Sequence, residues 1–378
     1  MKTVTTALLV LSVIETILWM IPVPNETLWV VRMIARELWP WFIILNTLGL
    51  LLAIFWRRWF VPVFAFGLAL MIWQLTQIAP LEHRMAQQWT LQGFSSAELR
   101  APSAIELFRT SLFGPAIPDI QPNALRPDVY LYKSPESVAE EPLPILIDIH
   151  GGSWQHGYAG SDDMFCRYMA AQGYAVFSID YRKAPEFQYP IQIQDVRGAI
   201  SWIYRNAPLY GADATRIALV GRSAGAELAL VDAYTSMKIP IGAVISYYGP
   251  TDLVKGYNAP PKPDPIDIRA KLSDYLGGGP QSAPDAYRDA SPTSHVRKGL
   301  PPTLLIQGDE DHVVKPRFAR ELRQDLLSKG DRILLLDIPW SEHAFDVVYF
   351  GPGSVLALAY VEAFLRDALP KSSQPVLE

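Results

Sequence analysis

Gly221-Arg222-Ser223-Ala224-Gly225 is the most informative segment of this 378-residue chain. It follows a short apolar run at 217–220 and precedes a helix-forming stretch that starts at Ala224. A G-x-S-x-G segment between a strand and a helix is typical of a nucleophilic serine, because the sharp turn projects the hydroxyl from the top of the sheet. The glycines are predicted to permit that turn. The alternative is a serine that only caps the following helix.

A second glycine-rich turn lies upstream. The segment His150-Gly151-Gly152-Ser153-Trp154 directly follows the apolar run 145–149. Such a loop can aim backbone N–H groups at a developing oxyanion. The predicted oxyanion hole uses the N–H groups of Gly152 and Ser153, and the N–H group of Ala224 completes it. His150 is predicted to support this loop through hydrogen bonds rather than to react.

Short apolar runs alternate with amphipathic stretches around both turns. We expect strands at 129–131, 145–149, 175–179, 217–220, 243–247, 303–306 and 333–336, and helices near 162–172, 191–205, 224–235, 315–329 and 353–368. This alternation predicts an α/β fold, with a mostly parallel sheet and helices on both faces. Residues 250–300 are rich in Pro, Gly and Asp and are predicted to form a small insertion over the edge of the sheet.

Residues from about 128 to 369 resemble the α/β-hydrolase superfamily. The H-G-G-x-W pattern at 150–154 is similar to the feruloyl/acetyl-esterase-like and kynurenine-formamidase-like branch, which is related to hormone-sensitive-lipase-like esterases. Further matching segments are Asp180-Tyr181-Arg182, Gly211-Ala212-Asp213 and Ala290-Ser291-Pro292. The resemblance implies an α/β-hydrolase fold, in which Gly151 and Trp154 help His150 to support the oxyanion loop. Arg222 is an unusual charge at its position, and we expect it to reach the substrate pocket.

The resemblance also indicates the other two members of a catalytic triad, which follow the serine in the order acid and then histidine. The segment 308–314 fits the family pattern G-x-x-D-x-x-V, which implies Asp311 as the acid, with Asp309 as the poorer candidate. Ser341-Glu342-His343-Ala344-Phe345 resembles the loop that carries the base. Of the six histidines, only His343 has both this order and this loop. In the predicted triad, His343 takes the proton of Ser223 and Asp311 orients the imidazole.

The first 80 residues differ in composition from the rest of the chain. They contain eight charged side chains and seven of the eleven tryptophans. Three apolar stretches, at about 3–22, 39–56 and 59–78, approach the ~20 residues that a membrane-spanning helix needs. Buried core helices, or a cleaved signal peptide for the first stretch, are the alternatives. We predict a transmembrane anchor at 1–80, a connector at 81–125 and an α/β-hydrolase catalytic domain at 126–378.

Charged residues within the anchor suggest its orientation. Lys2 and the pair Arg57-Arg58 favour the cytoplasmic side, which places the catalytic domain on the extracytoplasmic side after three spans. Glu15 in the first span is expected to face the other helices, because a charge in lipid is costly. Four more charges are expected on one side of a helix between the first two spans, either as an interfacial element or as the start of the second span. They are Glu26, Arg32, Arg36 and Glu37.

The sequence thus predicts a multi-pass, membrane-anchored serine esterase that cleaves small-molecule carboxylic esters with a short acyl group through an acyl-enzyme. No cofactor or metal is predicted, and the single cysteine, Cys166, excludes an intramolecular disulfide or a cysteine-based metal site. The net charge of −5 argues against nucleic acid as a partner; the bilayer is the expected one. An amidase of the formamidase type and a non-catalytic, membrane-tethered binding module of the same fold are the alternatives.

Overall fold

One mixed sheet forms the centre of the molecule. The computed structural model describes residues 2–95, 99–114, 116–135, 141–236 and 238–370. The strands in these ranges are β1 (Asn123–Arg126), β2 (Val129–Tyr132), β3 (Leu143–Ile149), β4 (Ala175–Ile179), β5 (Ala212–Arg222), β6 (Ala243–Tyr247), β7 (Thr303–Gly308) and β8 (Ile333–Ile338). Their order in the sheet is β1-β2-β4-β3-β5-β6-β7-β8, in which β1 and β2 pair antiparallel and β3 to β8 run parallel.

Helices precede the sheet and cover both of its faces. They are α1 (Lys2–Met20), α2 (Glu26–Glu37), α3 (Trp39–Trp56), α4 (Val61–Leu91), α5 (Ala104–Phe113), α6 (Asp163–Ala171), α7 (Ile191–Asn206), α8 (Ala224–Thr235), α9 (Leu253–Asn258), α10 (Ile268–Leu276), α11 (Pro284–Asp289), α12 (Arg317–Lys329) and α13 (Pro352–Ala368). Every residue of β4 and β6 is buried, as expected for parallel strands between two helical layers. The predicted α/β class is confirmed.

Alternate residues of the central strands belong to two separate apolar cores. Ile145 and Ile147 of β3 pack with α7, α8 and α12, whereas Leu146 packs with α6 and α13 on the other face. The predicted insertion at 250–300 contains the short helices α9 to α11. Strand β1 was not predicted, because its four residues are half-buried or exposed and carry no apolar pattern.

Three N-terminal helices are long and apolar enough to cross a membrane. They are α1, α3 and the helical stretch Arg58–Leu91 that contains α4. Glu15 lies buried between them, as expected, where Asn46 Nδ2 donates to Glu15 Oε2 over 3.1 Å. Ser12 Oγ in turn donates to Asn46 Oδ1 over 2.6 Å. Gly67 makes room for this contact, since a Cβ atom there would lie 2.5 Å from Asn46 Oδ1.

Helix α4 does not end near residue 78, where the predicted third span ends. It continues through Pro80 to Leu91 and buries Met85 and Trp89 in the core on one face of the sheet. Gln88 on this extension pairs with the edge strand β8: its Nε2 donates to Leu335 O over 3.0 Å, and its Oε1 accepts from Leu335 N over 3.0 Å. A side-chain amide thereby satisfies backbone groups that an edge strand otherwise leaves open.

Substitution of Gln88 by alanine should therefore destabilise the sheet. Q88A leaves the N–H and C=O groups of Leu335 without these partners, and we expect the free energy of unfolding to fall by about 1–3 kcal/mol. The neighbouring Gln87 is exposed and contacts only His83 among the hydrogen bonds of the described residues, so Q87A is the matched control. Thermal unfolding in detergent measures both variants. Equal midpoints for Q88A and Q87A would contradict this role of Gln88.

Candidate active site

Ser223 occupies a strained turn between β5 and α8. Its backbone has φ 51° and ψ −116°, a conformation that L-residues rarely adopt and that costs about 1–3 kcal/mol. The flanking glycines make room for the backbone: a Cβ atom on Gly221 would lie 2.2 Å from Gly225 O, and one on Gly225 would lie 2.1 Å from Ile149 O. The glycines permit the turn by close approach, and the unusual dihedral angles fall on the serine itself.

The structure brings together the three side chains of the predicted triad. His343 Nε2 lies 3.0 Å from Ser223 Oγ, and His343 Nδ1 lies 2.8 Å from Asp311 Oδ2. His343 and Asp311 are both buried, while Ser223 is half-buried. The alternative acid, Asp309, instead pairs with Arg320 at an exposed position. Asp311 therefore has the geometry of the triad acid, and Asp309 does not.

Several donors fix the carboxylate of Asp311. Its Oδ1 accepts from the backbone N–H groups of Val313 over 2.8 Å and Val314 over 2.7 Å, and its Oδ2 also accepts from Gln307 Nε2 over 2.8 Å. A carboxylate held in this way favours the tautomer of His343 that carries its proton on Nδ1. Nε2 is then free to accept a proton from Ser223, which is the arrangement that activates a serine nucleophile.

The other histidines point elsewhere. Within the described ranges, only His343 lies within hydrogen-bond distance of Ser223 Oγ. Four of the remaining five make hydrogen bonds of their own: His83 with Gln87, His150 with Asp180, His295 with Asp289 O, and His312 with Glu342. The choice of histidine by chain order and loop agrees with this geometry.

The predicted oxyanion loop packs directly on the serine turn. A Cβ atom on Gly151 would lie 2.9 Å from Arg222 O, so only glycine fits there without a shift of the backbone. Gly152, Ser153 and Trp154 have φ of 115°, 53° and 59°. Successive N–H groups in such conformations form concave anion sites. In the part of the chain that the structure describes, the N–H groups of Gly152, Ser153 and Ala224 donate to no protein acceptor.

Two buried side chains, His150 and Trp154, fix the loop 150–154 through stacking and hydrogen bonds. His150 stacks on Tyr181 with a centroid distance of 4.5 Å, and its Nε2 lies 2.9 Å from Asp180 Oδ1. Trp154 stacks on Tyr275 at 4.2 Å and donates from Nε1 to Glu227 Oε2 over 2.9 Å. Neither ring hydrogen-bonds to Ser223. Both contacts fit the predicted supporting role.

Arg222 does not reach the pocket beside Ser223, and this expectation is wrong. Its guanidinium is buried among three carboxylates, at 2.9 Å from Asp148, 3.4 Å from Asp162 and 2.6 Å from Asp346. It lines a different cavity of about 310 Å³. A buried cation needs such counter-charges, which an apolar pocket would not supply.

The pocket beside Ser223 is small and mostly apolar. A cavity of about 50 Å³ lies between the serine and residues of the insertion, among them Leu253, Ile266 and Leu272. Val314 and Phe318, which follow Asp311 in the chain, also line it. In the described ranges, no group of three or more His, Cys, Asp or Glu side chains is arranged to hold a metal ion.

Sequence reasoning missed three residues around the triad. Glu342 is buried, and its Oε1 accepts from the N–H groups of His312 over 2.6 Å and His343 over 3.1 Å. Tyr248 places its ring 4.6 Å from the ring of His343, and Trp29 of α2 places its ring 6.0 Å away. Glu342 could have been noticed as a charge within the loop of the base. Trp29 gave no signal, because its contact is long-range.

The buried Glu227 predicts a pH dependence of stability. Burial raises its pKa from 4.5 to about 8, although hydrogen bonds from Trp154 and Tyr275 oppose this shift. The folded state therefore retains a proton that the unfolded state releases, so stability falls as the pH rises from about 4.5 to about 8. We expect the unfolding midpoint of E227Q to fall less than that of wild type between pH 5 and pH 9.

The exposed Glu186 provides a control for this experiment, because E186Q should retain the wild-type pH dependence. Thermal unfolding at both pH values measures the difference. A parallel decline in wild type and E227Q would show that Glu227 is ionised in the folded protein.

Comparisons with known proteins find relatives that are named as esterases. Esterase LipC of Mycobacterium tuberculosis is 31% identical over 222 residues, which cover 55% of this chain and 54% of LipC. The probable carboxylic ester hydrolase LipM of the same organism is 28% identical over 254 residues, 63% of this chain and 57% of LipM. The chain thus spans about half the length of these curated relatives.

A solved structure and a family model extend the comparison. The structure of a bacterial heroin esterase superimposes with a TM-score of 0.60 at 25% identity, and the match covers 72% of this chain and 95% of that one. The family model described as BD-FAE matches residues 128–326, which is more than half of the chain. The chain therefore belongs to the BD-FAE family of α/β-hydrolases.

Proposed function

We propose that this protein is a membrane-anchored carboxylic ester hydrolase with the triad Ser223, Asp311 and His343. The observation that carries the proposal is the continuous hydrogen-bonded path from Asp311 Oδ2 through His343 to Ser223 Oγ, with distances of 2.8 and 3.0 Å. The names of LipC and LipM, an esterase and a probable carboxylic ester hydrolase, support the same reaction class.

The reaction follows from this arrangement. Ser223 Oγ attacks the acyl carbonyl while His343 Nε2 takes its proton, and the charge on the imidazolium is stabilised by Asp311. The carbonyl oxygen becomes an oxyanion that accepts from the N–H groups of Gly152, Ser153 and Ala224. One such donor is typically worth about 3 kcal/mol. His343 then protonates the departing alcohol. In the second half of the reaction, His343 takes a proton from water as the water attacks the acyl-enzyme, and it returns that proton to Ser223 Oγ.

The size of the pocket supports a short acyl group. The cavity of about 50 Å³ is about a third of the size of the ~150 Å³ apolar cavity that holds a benzene molecule. Its walls are mainly aliphatic and aromatic side chains, which suit a few carbon atoms. The substrate class that fits best is therefore a small-molecule ester of an acid with about two to four carbons.

The arrangement of the N-terminal helices supports a multi-pass anchor. If α1, α3 and the first part of α4 each cross the bilayer, α2 and the catalytic domain emerge on the same side, which agrees with their direct contact. Lys2 and the pair Arg57-Arg58 then lie on the opposite side. By the positive-inside rule that side is the cytoplasm, so the catalytic domain faces the extracytoplasmic space.

A series of esters tests the proposed substrate class. Purified full-length protein should hydrolyse p-nitrophenyl acetate and butyrate with a higher kcat/KM than the octanoate ester, because the cavity beside Ser223 is short. S223A should show no turnover and should not react with a fluorophosphonate probe. Preference for long chains would indicate a lipid substrate, and preference for an N-formyl aryl amide would indicate an amidase. A wild-type protein that does not label would contradict catalysis.

Two neighbouring aspartates test the assignment of the acid. D311N preserves the shape of the side chain but no longer stabilises the correct tautomer of His343, so we expect kcat to fall by about 10³- to 10⁴-fold. D309N removes only an exposed ion pair with Arg320, which contributes little, and should retain wild-type kcat. Steady-state kinetics of both variants decide the matter. Equal losses would refute the assignment of Asp311.

A further inference from the structure

Helix α2 has an unusual distribution of polar and apolar side chains. Arg32, Arg36 and Glu37 are buried, whereas Val31 and Ile34 are 42% and 39% exposed. An ordinary surface helix has the opposite pattern, with its apolar side chains towards the protein. The charged side of α2 faces the loops that carry Asp311 and His343.

Glu37 at the end of α2 binds the loop that carries His343. Its Oε1 accepts from Ser341 Oγ over 2.6 Å, and its Oε2 accepts from Gly353 N over 2.8 Å. Ser341 is two residues before His343, and Gly353 is in the first turn of α13. Glycines surround this carboxylate, since Cβ atoms on Gly351 and Gly353 would lie 2.7 and 2.9 Å from its oxygens. The loop that carries His343 and the start of α13 thus form a closely packed site for the carboxylate of Glu37.

Two arginines of α2 bind the residues next to the acid and the base. Arg32 lies 3.2 Å from Glu310 and 3.9 Å from Glu342, which directly precede Asp311 and His343 in the chain. Arg36 lies 3.1 Å from Glu310. Arg36 Nη1 also donates to Trp340 O over 3.2 Å. The acid loop and the base loop therefore share one set of partners on α2.

Glu342 connects the two loops to each other. Its Oε1 accepts from the backbone N–H groups of His312 and His343, and its Oε2 lies 2.8 Å from His312 Nδ1. Arg32 supplies the nearby positive charge that a buried carboxylate requires. The positions of Asp311 and His343 thus depend on one connected network, and α2 forms its outer part.

We propose that α2 is a positioning element of the active site, in which Glu37 holds the loop of His343 in register with Ser223. The proposal rests on the proposed esterase function. Glu37 touches neither the substrate nor the reacting atoms, so it is a positioning residue and not a catalytic one. Because α2 connects the first two predicted spans, the N-terminal region then contributes to turnover as well as to attachment.

Variants at the two glutamates of α2 test this role in the full-length protein. E37A removes both hydrogen bonds of the carboxylate, and we expect kcat to fall by about 10- to 100-fold with KM changed less than about twofold, because a misplaced base slows the reaction without weakening binding. E37Q should stay within about threefold of wild type, since its amide can accept from Gly353 N and donate to Ser341 Oγ. Glu26 is exposed in the first turn, so E26A is the matched control and should behave as wild type.

A second variant covers the case in which E37A does not fold. S341A removes only the hydroxyl donor, and we expect it to lower kcat by about threefold to tenfold. The double variant E37A/S341A should lose no more activity than E37A, because both substitutions break the same contact. Additive losses in the double variant, or an S341A variant with wild-type kcat, would overturn the proposal.

Hydrogen–deuterium exchange separates failure of this proposal from failure of the proposed function. In E37A, but not in E26A, amides of residues 339–347 should exchange faster than in wild type. Unchanged exchange, or equal kcat in E37A and E26A, would overturn the positioning role. If wild type hydrolyses no ester, the esterase proposal fails instead, and the exchange rates still decide whether Glu37 holds the loop.

Discussion

The position of the His343 imidazole depends on two hydrogen bonds, one to Asp311 and one to Ser223. His343 lies after β8, Asp311 after β7 and Ser223 after β5, and these strands are parallel members of one sheet. Because parallel strands end at the same edge, residues that are up to 120 positions apart in the chain meet there. The order of the strands, the tight glycine turns and the buried partners of Asp311 together determine how Asp311, His343 and Ser223 are aligned.

The N-terminal helices contact both strand β8 and the segment that follows it. Gln88 of α4 pairs with Leu335 within β8, while Arg36 and Glu37 of α2 bind Trp340 and Ser341 directly after it. Strand β8 is an edge strand and leads into the loop of the proposed base. An edge strand has only one neighbour in the sheet, so partners from outside the sheet have a larger effect on it than they would on a central strand.

Local patterns predicted much of this structure, and long-range partners explain what they could not predict. The G-x-S-x-G segment, the apolar strands and the loop of His343 carry their signals within a few residues. The environment of Arg222 could not be predicted in this way, since Asp148 and Asp346 are 74 and 124 positions away. The contact of Glu37 with Ser341 spans 304 positions. The extension of α4 was also missed, because the third span was bounded by its apolar run, and the residues after it are more polar.

Helix α4 has a mechanical consequence for the proposed anchor. Its 31 residues span about 46 Å at 1.5 Å per residue, whereas the hydrocarbon core of a bilayer is about 30 Å thick. The remaining length continues without an intervening loop and packs against the sheet, where Leu81, Met85 and Trp89 are buried. In the proposed anchor, this continuous helix holds the domain that carries Ser223 at a fixed height above the membrane, rather than on a flexible tether. In the proposed arrangement, the active site stays within a thin layer next to the membrane and does not sample the whole surrounding volume.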